Sequence, residues 1–166
     1  MSHLRALLFR ALSFRLHLWV FMLLLPALAS QAQTDQLKPV ETSQKFGNYT
    51  VHFSTFNSTF ISPEIAQIYG LTRASNQTLI NISLTQTVDG KTTLGLPARV
   101  SGTATNLIQQ QRTLEFKTIA EGDATYYLAP LRHTNEEVIN FAVQVQAETE
   151  SAPFTVRFTR NLHTEE

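Results

Sequence analysis

Val138-Ile-Asn-Phe-Ala-Val-Gln-Val-Gln-Ala147 decides the fold. Ile139, Phe141, Val143 and Val145 occupy every second position, with Asn140, Gln144 and Gln146 among the residues between them. A strand sends successive side chains to opposite faces, so this alternation predicts one buried and one wet face. The same period recurs outward along the chain. Leu79–Thr87 sets Ile80, Ile82 and Leu84 against Asn81, Ser83 and Thr85. Tyr49, Val51 and Phe53 alternate with Thr50, His52 and Ser54. There the phase slips, because Phe56 and Phe60 fall on the other parity, and a bulge near Ser54–Thr55 is expected to absorb it.

Further strands are expected over 99–105, 113–119 and 124–131, and at Phe154, Val156 and Phe158. Val100, Gly102 and Ala104 are small for inward positions and imply a bulky neighbour. Leu114 and Phe116 are the inward pair of the next strand. Asp89-Gly90, Gln109–Gln111, Glu121-Gly-Asp123 and Ser151-Ala-Pro153 supply the turns between them. One short helix interrupts the series. Ser62 is its N-cap, Pro63 its first residue and Gly70 its left-handed terminator, with Ile65, Ile68 and Tyr69 expected to face the core. About seven short strands with regular turn signals predict an all-β, immunoglobulin-like β-sandwich. The domain has no cysteine, so no inter-sheet disulfide supports it, and its packing must suffice.

The first thirty residues read differently. Arg5, Arg10 and Arg15 precede an apolar run that ends near Pro26, followed by small residues to Ala32 and no acid before Asp35. That order is the layout of a signal peptide. The run, about twelve residues, falls short of the roughly 20 needed to span a bilayer. Cleavage after Ala32 is favoured over cleavage after Ala29. The chain divides into a signal peptide over 1–32, a polar, flexible linker over 33–44 and the β-sandwich domain over 45–166. No cysteine follows either cut, so the product is expected to be released, soluble and without a lipid anchor.

The leader takes three basic residues and no acid, which leaves a mature net charge of −3. No basic cluster marks a nucleic-acid or anionic-lipid surface. Zero cysteine removes thiol chemistry and thiolate-held metals. His52, His133 and His163 lie far apart in sequence, without the close pairing of a metal site on one strand face. No nucleophile elbow, phosphate loop, zinc-protease or dinucleotide motif is present. The chain is therefore expected to be no enzyme, with no catalytic residue, metal or cofactor.

Tyr69, Arg73, Tyr126 and Tyr127 are the candidate binding residues, since exposed aromatics beside arginine hold sugars and peptides. Tyr126 and Tyr127 point to opposite faces, so one ring is expected outward. Asn57 and Asn81, though within glycosylation-type sequons, are expected to hydrogen-bond loop backbone near the helix. The favoured function is a non-catalytic binding or accessory module for an envelope protein, peptide or glycan, working through an exposed edge strand or the loops near Tyr69, Arg73 and Tyr126. A small hydrolase or metal-handling protein using His52 or His133 with Glu136 is the alternative. A structural envelope-stress factor without ligand is the third.

Lys45-Phe-Gly-Asn-Tyr-Thr-Val-His-Phe53, Phe56-Asn-Ser-Thr-Phe60, Pro63-Glu-Ile-Ala66 and Tyr69-Gly-Leu-Thr-Arg73 carry a resemblance. So do Val100-Ser-Gly-Thr-Ala-Thr-Asn-Leu107, Glu121-Gly-Asp-Ala-Thr-Tyr-Tyr-Leu128 and Asn135-Glu-Glu-Val138. Together they resemble the domain-of-unknown-function family four-four-two-six, secreted proteins of gamma-class Gram-negative bacteria. The resemblance implies a periplasmic location and a sandwich-like domain. It implies no activity and assigns no site residue.

Overall fold

The alternating stretch Val138–Ala147 lies in an inner strand of one sheet. In the computed structural model, which describes residues 39–165, it is the strand β9 (Glu137–Ala147), with Ile139, Phe141, Val143 and Val145 all buried. The segment 1–32 read as a signal peptide, and the expected linker as far as Lys38, lie outside the described residues.

The chain order is β1 (Ser43–Phe46), β2 (Tyr49–Asn57), a single 3-10 turn (Ser58–Phe60) and α1 (Pro63–Ile68). There follow β3 (Gln77–Val88), β4 (Lys91–Thr92), β5 (Ala98–Asn106), β6 (Gln111–Thr113), β7 (Lys117–Glu121), β8 (Ala124–Arg132), then β9 and β10 (Phe154–Leu162). One antiparallel sheet runs β1-β2-β3-β8-β7, with the short β4 beside β3. The other runs β10-β9-β5-β6. With β2 taken as strand A, the orders are A-B-E-D against G-F-C-C′, the immunoglobulin arrangement.

The inner faces meet as the alternation requires. Val51, Phe53, Ile80, Ile82, Leu84 and Ala129 from one sheet pack on Ala104, Ile139, Phe141, Val143, Val145 and Val156 from the other. Phe158 stacks on both Phe53 and Phe141, with centroids 4.5 Å and 4.8 Å away. Ala104 lies directly opposite Phe141, and Gly102 opposite Val143. A Cβ on Gly102 would sit 2.9 Å from the Ala142 carbonyl, which explains the small inward residues of β5.

The structure departs from the sequence expectations at four places. First, β2 has no bulge: its register with β3 runs unbroken from Tyr49↔Gln86 to Asn57↔Thr78. Phe56 instead points to the outer face beside Leu79, where the excursion 58–76 roofs it. A second small core of Ala66, Leu71 and Leu79, with Phe56, Ile61, Tyr69 and Leu128 around it, forms there.

Second, α1 has its Ser62 cap and Gly70 at φ +58, yet it buries Ala66, while Ile65 and Ile68 stay exposed. A six-residue helix seats only a narrow stripe, and Ala66 allows the closest approach to the sheet. Third, Thr113–Ile119 is two strands. Leu114 is buried, its amide bonded to the Gly102 carbonyl, and the chain crosses there from one sheet to the other. Fourth, β1 begins at Ser43, inside the expected linker, because Gly47 at φ +60 folds it back on β2 and Phe46 stacks on Phe154.

Candidate functional site

Polar side chains converge at one end of the sandwich, where the β8–β9 connection crosses between the sheets. A shallow depression of about 430 Å³ is lined by Asn106, Gln110, Arg112, Arg132, His133, Thr134 and Glu137. Arg112 has inward parity on β6, opposite Ala104, and closes the gap between the sheets. Its guanidinium donates to the Arg132 carbonyl and lies 3.6 Å from the Glu137 carboxylate, the one ion pair among the described residues. Glu137 also accepts from the Thr134 amide at 2.9 Å. Burial opposes its charge, but the Thr134 amide, the Arg112 charge and the Asn106 and Thr134 side chains outweigh that. Its carboxyl therefore titrates below the ordinary glutamate value.

His133 is buried and doubly bonded. Its Nδ1 lies 2.8 Å from the Thr134 carbonyl, so Nδ1 carries a proton. Nε2 lies 2.9 Å from the Thr78 hydroxyl, and in the neutral ring it accepts from it. Asn106 Oδ1 accepts from the Gln110 amide, which folds the β5–β6 turn with Gln109 at φ +63. The polar groups of the depression are thus largely bonded to one another. At the turn itself, Leu107 and Ile108 are 67% and 74% exposed.

The sequence candidates are placed elsewhere. Tyr69 is half-buried in the second small core, and its carbonyl and that of Gly70 accept from Lys117 Nζ at 3.0 Å and 2.6 Å. Arg73 is exposed and donates to the Thr59 carbonyl at 3.0 Å. Hydrogen bonds from Ser62 and from its own backbone, more than the Arg73 charge, lower the Glu64 pKa. Tyr126 is half-buried on the outer face opposite Ile119. Tyr127 points into the core, and its hydroxyl accepts from the Ala98 amide, leaving no ring face for a ligand. Burial pushes its phenol above the ordinary tyrosine value. Tyr69 and Arg73 therefore share the excursion, Tyr126 lies on the outer face of β8, and none of the four lines the depression.

His52 is on the outer face of β2, its Nε2 3.0 Å from the Thr85 hydroxyl. It stands opposite Ser83, whereas His133 bonds Thr78. Those two positions of β3 are roughly 16 Å apart at the rise of a strand. Glu136 is an exposed turn residue at φ +57, and Glu137 rather than Glu136 joins the depression. Asn57 fulfils its expected backbone role, donating to Ser75 O and accepting from Thr59 N. Asn81 does not, for its Oδ1 is buried without a hydrogen-bond partner among the described residues. Sequence reasoning missed Arg112, Glu137, Asn106 and Gln110, which only the facing of two sheets unites. Thr78 left a signal, a polar residue at the inward parity of Ile80.

The family model described as a domain of unknown function, DUF4426, matches residues 43–165. No curated protein matches the chain. A crystal structure of a DUF4426 family protein from Pseudomonas aeruginosa PAO1 is similar at 32% identity and a TM-score of 0.66, covering 75% of this chain and 95% of that one. FetP of uropathogenic Escherichia coli strain F11, recombinantly expressed in the periplasm of E. coli BL21(DE3), is similar in fold at 12% identity and a TM-score of 0.55, covering 78% of this chain and 97% of that one. A copper-bound FetP variant gives 12% and 0.53, covering 75% and 90%.

Proposed function

The chain belongs to the DUF4426 family, and on that footing we propose that it is a non-catalytic binding module of the Gram-negative periplasm. Its partner is an envelope protein or peptide, engaged through the loop end of the sandwich. The observation that carries this is the pair Leu107-Ile108. A tight turn in water is usually built from polar residues and glycine, because these bond their own backbone and stay solvated. Here two adjacent aliphatic side chains stand out instead. The β2–β3 excursion leaves the sandwich at the same end, with Phe60 76% and Ile68 71% exposed. Exposed apolar groups beside polar ones mark association surfaces.

The internally bonded depression supports a non-catalytic role. His133 and Glu137 already hold partners, and His52 is too distant to join them. No helix among the described residues is long and apolar enough to cross a membrane. Copper, which one FetP structure contains, does not fit the donors here. No three His, Asp, Glu or Cys residues cluster among the described residues, cysteine is absent, and both methionines lie in the leader.

Site-specific photocrosslinking in periplasm-competent cells tests the proposal. A photoreactive residue at Ile108 should give an adduct of one defined mass, and Leu107→Ser should abolish it. The same residue at Asp123, at the opposite end of the sandwich, should give none. Equal adducts from both ends, or none from Ile108, would overturn it.

A further inference from the structure

The outer face of the β10-β9-β5-β6 sheet carries no chemistry invoked above, yet its composition is selective. The outward residues of β10 are Thr155, Arg157, Thr159 and Asn161. On β9 they include Asn140, Ala142, Gln144 and Gln146, and on β5 Arg99, Ser101, Thr103 and Thr105. The face therefore presents hydroxyls and amides with two arginines and not one carboxylate, although acids outnumber bases in the mature chain. Unlike the outer face of the other sheet, it has no helix or loop cluster packed on it among the described residues.

A concavity of about 400 Å³ opens on this face among Thr105, Gln109, Asn140, Ala142, Arg157 and Thr159. Thr105, Asn140 and Thr159 stand in one row across three strands. Thr159 donates its hydroxyl hydrogen to Asn140 Oδ1 at 2.7 Å, which orients the Asn140 amide so that its NH₂ group is left to donate elsewhere. Arg157 is exposed and enters no ion pair among the described residues. Ala142, opposite Arg157, leaves the sheet surface low between them. The concavity thus offers amide, hydroxyl and guanidinium donors around a small flat floor, with no negative side chain among the described residues that line it.

We propose that this concavity binds an anionic saccharide, a polyhydroxylated ligand with one carboxylate or phosphate. Arg157 takes the anionic oxygens, because a guanidinium pairs such groups with two parallel bonds. Asn140, Gln109 and Thr105 take the hydroxyls, and Ala142 admits the ring against the sheet. The concavity borders the β5–β6 turn through Gln109, but its anion contact, Arg157, lies on β10, so loss of anion binding and loss of the Leu107-Ile108 contact are read separately.

Amide-correlation NMR of the mature domain tests it with galacturonate, glucose 6-phosphate and neutral maltotriose. Saturable shifts should cluster at Thr105, Asn140, Ala142 and Thr159 with one or both anionic probes. Whichever of the two binds identifies the source of the anion. Arg157→Gln should weaken that binding about tenfold or more, as loss of a charge-assisted bond does. Arg99→Gln, at the far end of the face, should leave it nearly unchanged. Maltotriose should bind at least about tenfold more weakly than the anionic probe, for the same reason. No saturable shift with either anionic probe, shifts centred elsewhere, or an Arg157→Gln domain that stays folded and binds as well as the parent would overturn the proposal.

Discussion

Thr78→Val is the sharpest test of whether His133 is a structural joint or a reactive group. Thr78 and His133 are 4% and 6% exposed, so neither can turn to water. Valine keeps the shape of threonine and deletes only the hydroxyl that meets Nε2 at 2.9 Å. The ring stays pinned, because Nδ1 still donates to the Thr134 carbonyl. Nε2 is then buried without a partner, which costs about 1–3 kcal/mol. For a domain of this size the melting temperature should fall by about 3–6 °C per kcal/mol. Urea melts should show a lower midpoint at an unchanged slope, since the core surface exposed on unfolding is the same. Replacing both partners, Thr78→Val with His133→Leu, removes the orphaned atoms together. The double variant should lose less than the sum of the singles, by about 0.5–3 kcal/mol of coupling. Additive losses, or a Thr78→Val domain as stable as the parent, would refute the assignment of His133 as a bonded joint between β3 and the β8–β9 connection.

Two further outcomes follow from close geometry. Gly95→Ala should destabilise by at least about 2 kcal/mol in a urea melt, because its Cβ would stand 2.3 Å from the Thr125 carbonyl that faces it; that clash exceeds the gain of about 0.4–1 kcal/mol from a stiffer unfolded chain. Stability lost through Glu137→Gln should depend on pH in one direction: the folded carboxyl titrates below its unfolded value, so its charge stabilises the fold above about pH 5 and ceases to do so as pH falls through the folded pKa. Parent and variant urea midpoints should therefore converge in acid, and a gap that widens there would contradict the sign.

The interior was legible because burial imposes a period on the residues themselves. Ile80, Ile82 and Leu84 on β3, and Ile139, Phe141, Val143 and Val145 on β9, are all buried as their alternation requires. The Asp89-Gly90 and Glu121-Gly-Asp123 turns follow from local chemistry, with Asp89, Gly90 and Gly122 at positive φ. The crossing at Leu114 was not legible, because an inward side chain keeps the same parity whether the strand continues or changes sheets. Nor were Ile65 and Ile68, whose helical spacing matches a buried stripe while the buried helical residue is Ala66. The candidate site was hidden for a third reason. Arg112, His133 and Glu137 meet through the facing of two sheets, and no local pattern encodes which loop ends face each other.

Parity also says which residues point outward without saying whether anything covers them, and the two outer faces resolve that ambiguity by composition. On the β2-β3-β8 sheet the outward positions include Phe56, Leu79 and Leu128, three large apolar side chains that water would not tolerate together. The excursion 58–76 exists to cover them, and the apparent phase slip at Phe56 was the trace of that cover rather than a bulge. On the β10-β9-β5 sheet the corresponding row is Thr105, Asn140 and Thr159, which water tolerates well. Nothing in the folding of the domain requires those groups to be donors without a single carboxylate among them. A bare face needs only to be polar to stay solvated, and alternating charges would serve solubility better. The one-sided chemistry of that face is therefore the feature that stability leaves unexplained, and recognition of an anionic, hydroxyl-bearing ligand is a use that accounts for both its donors and its missing acids.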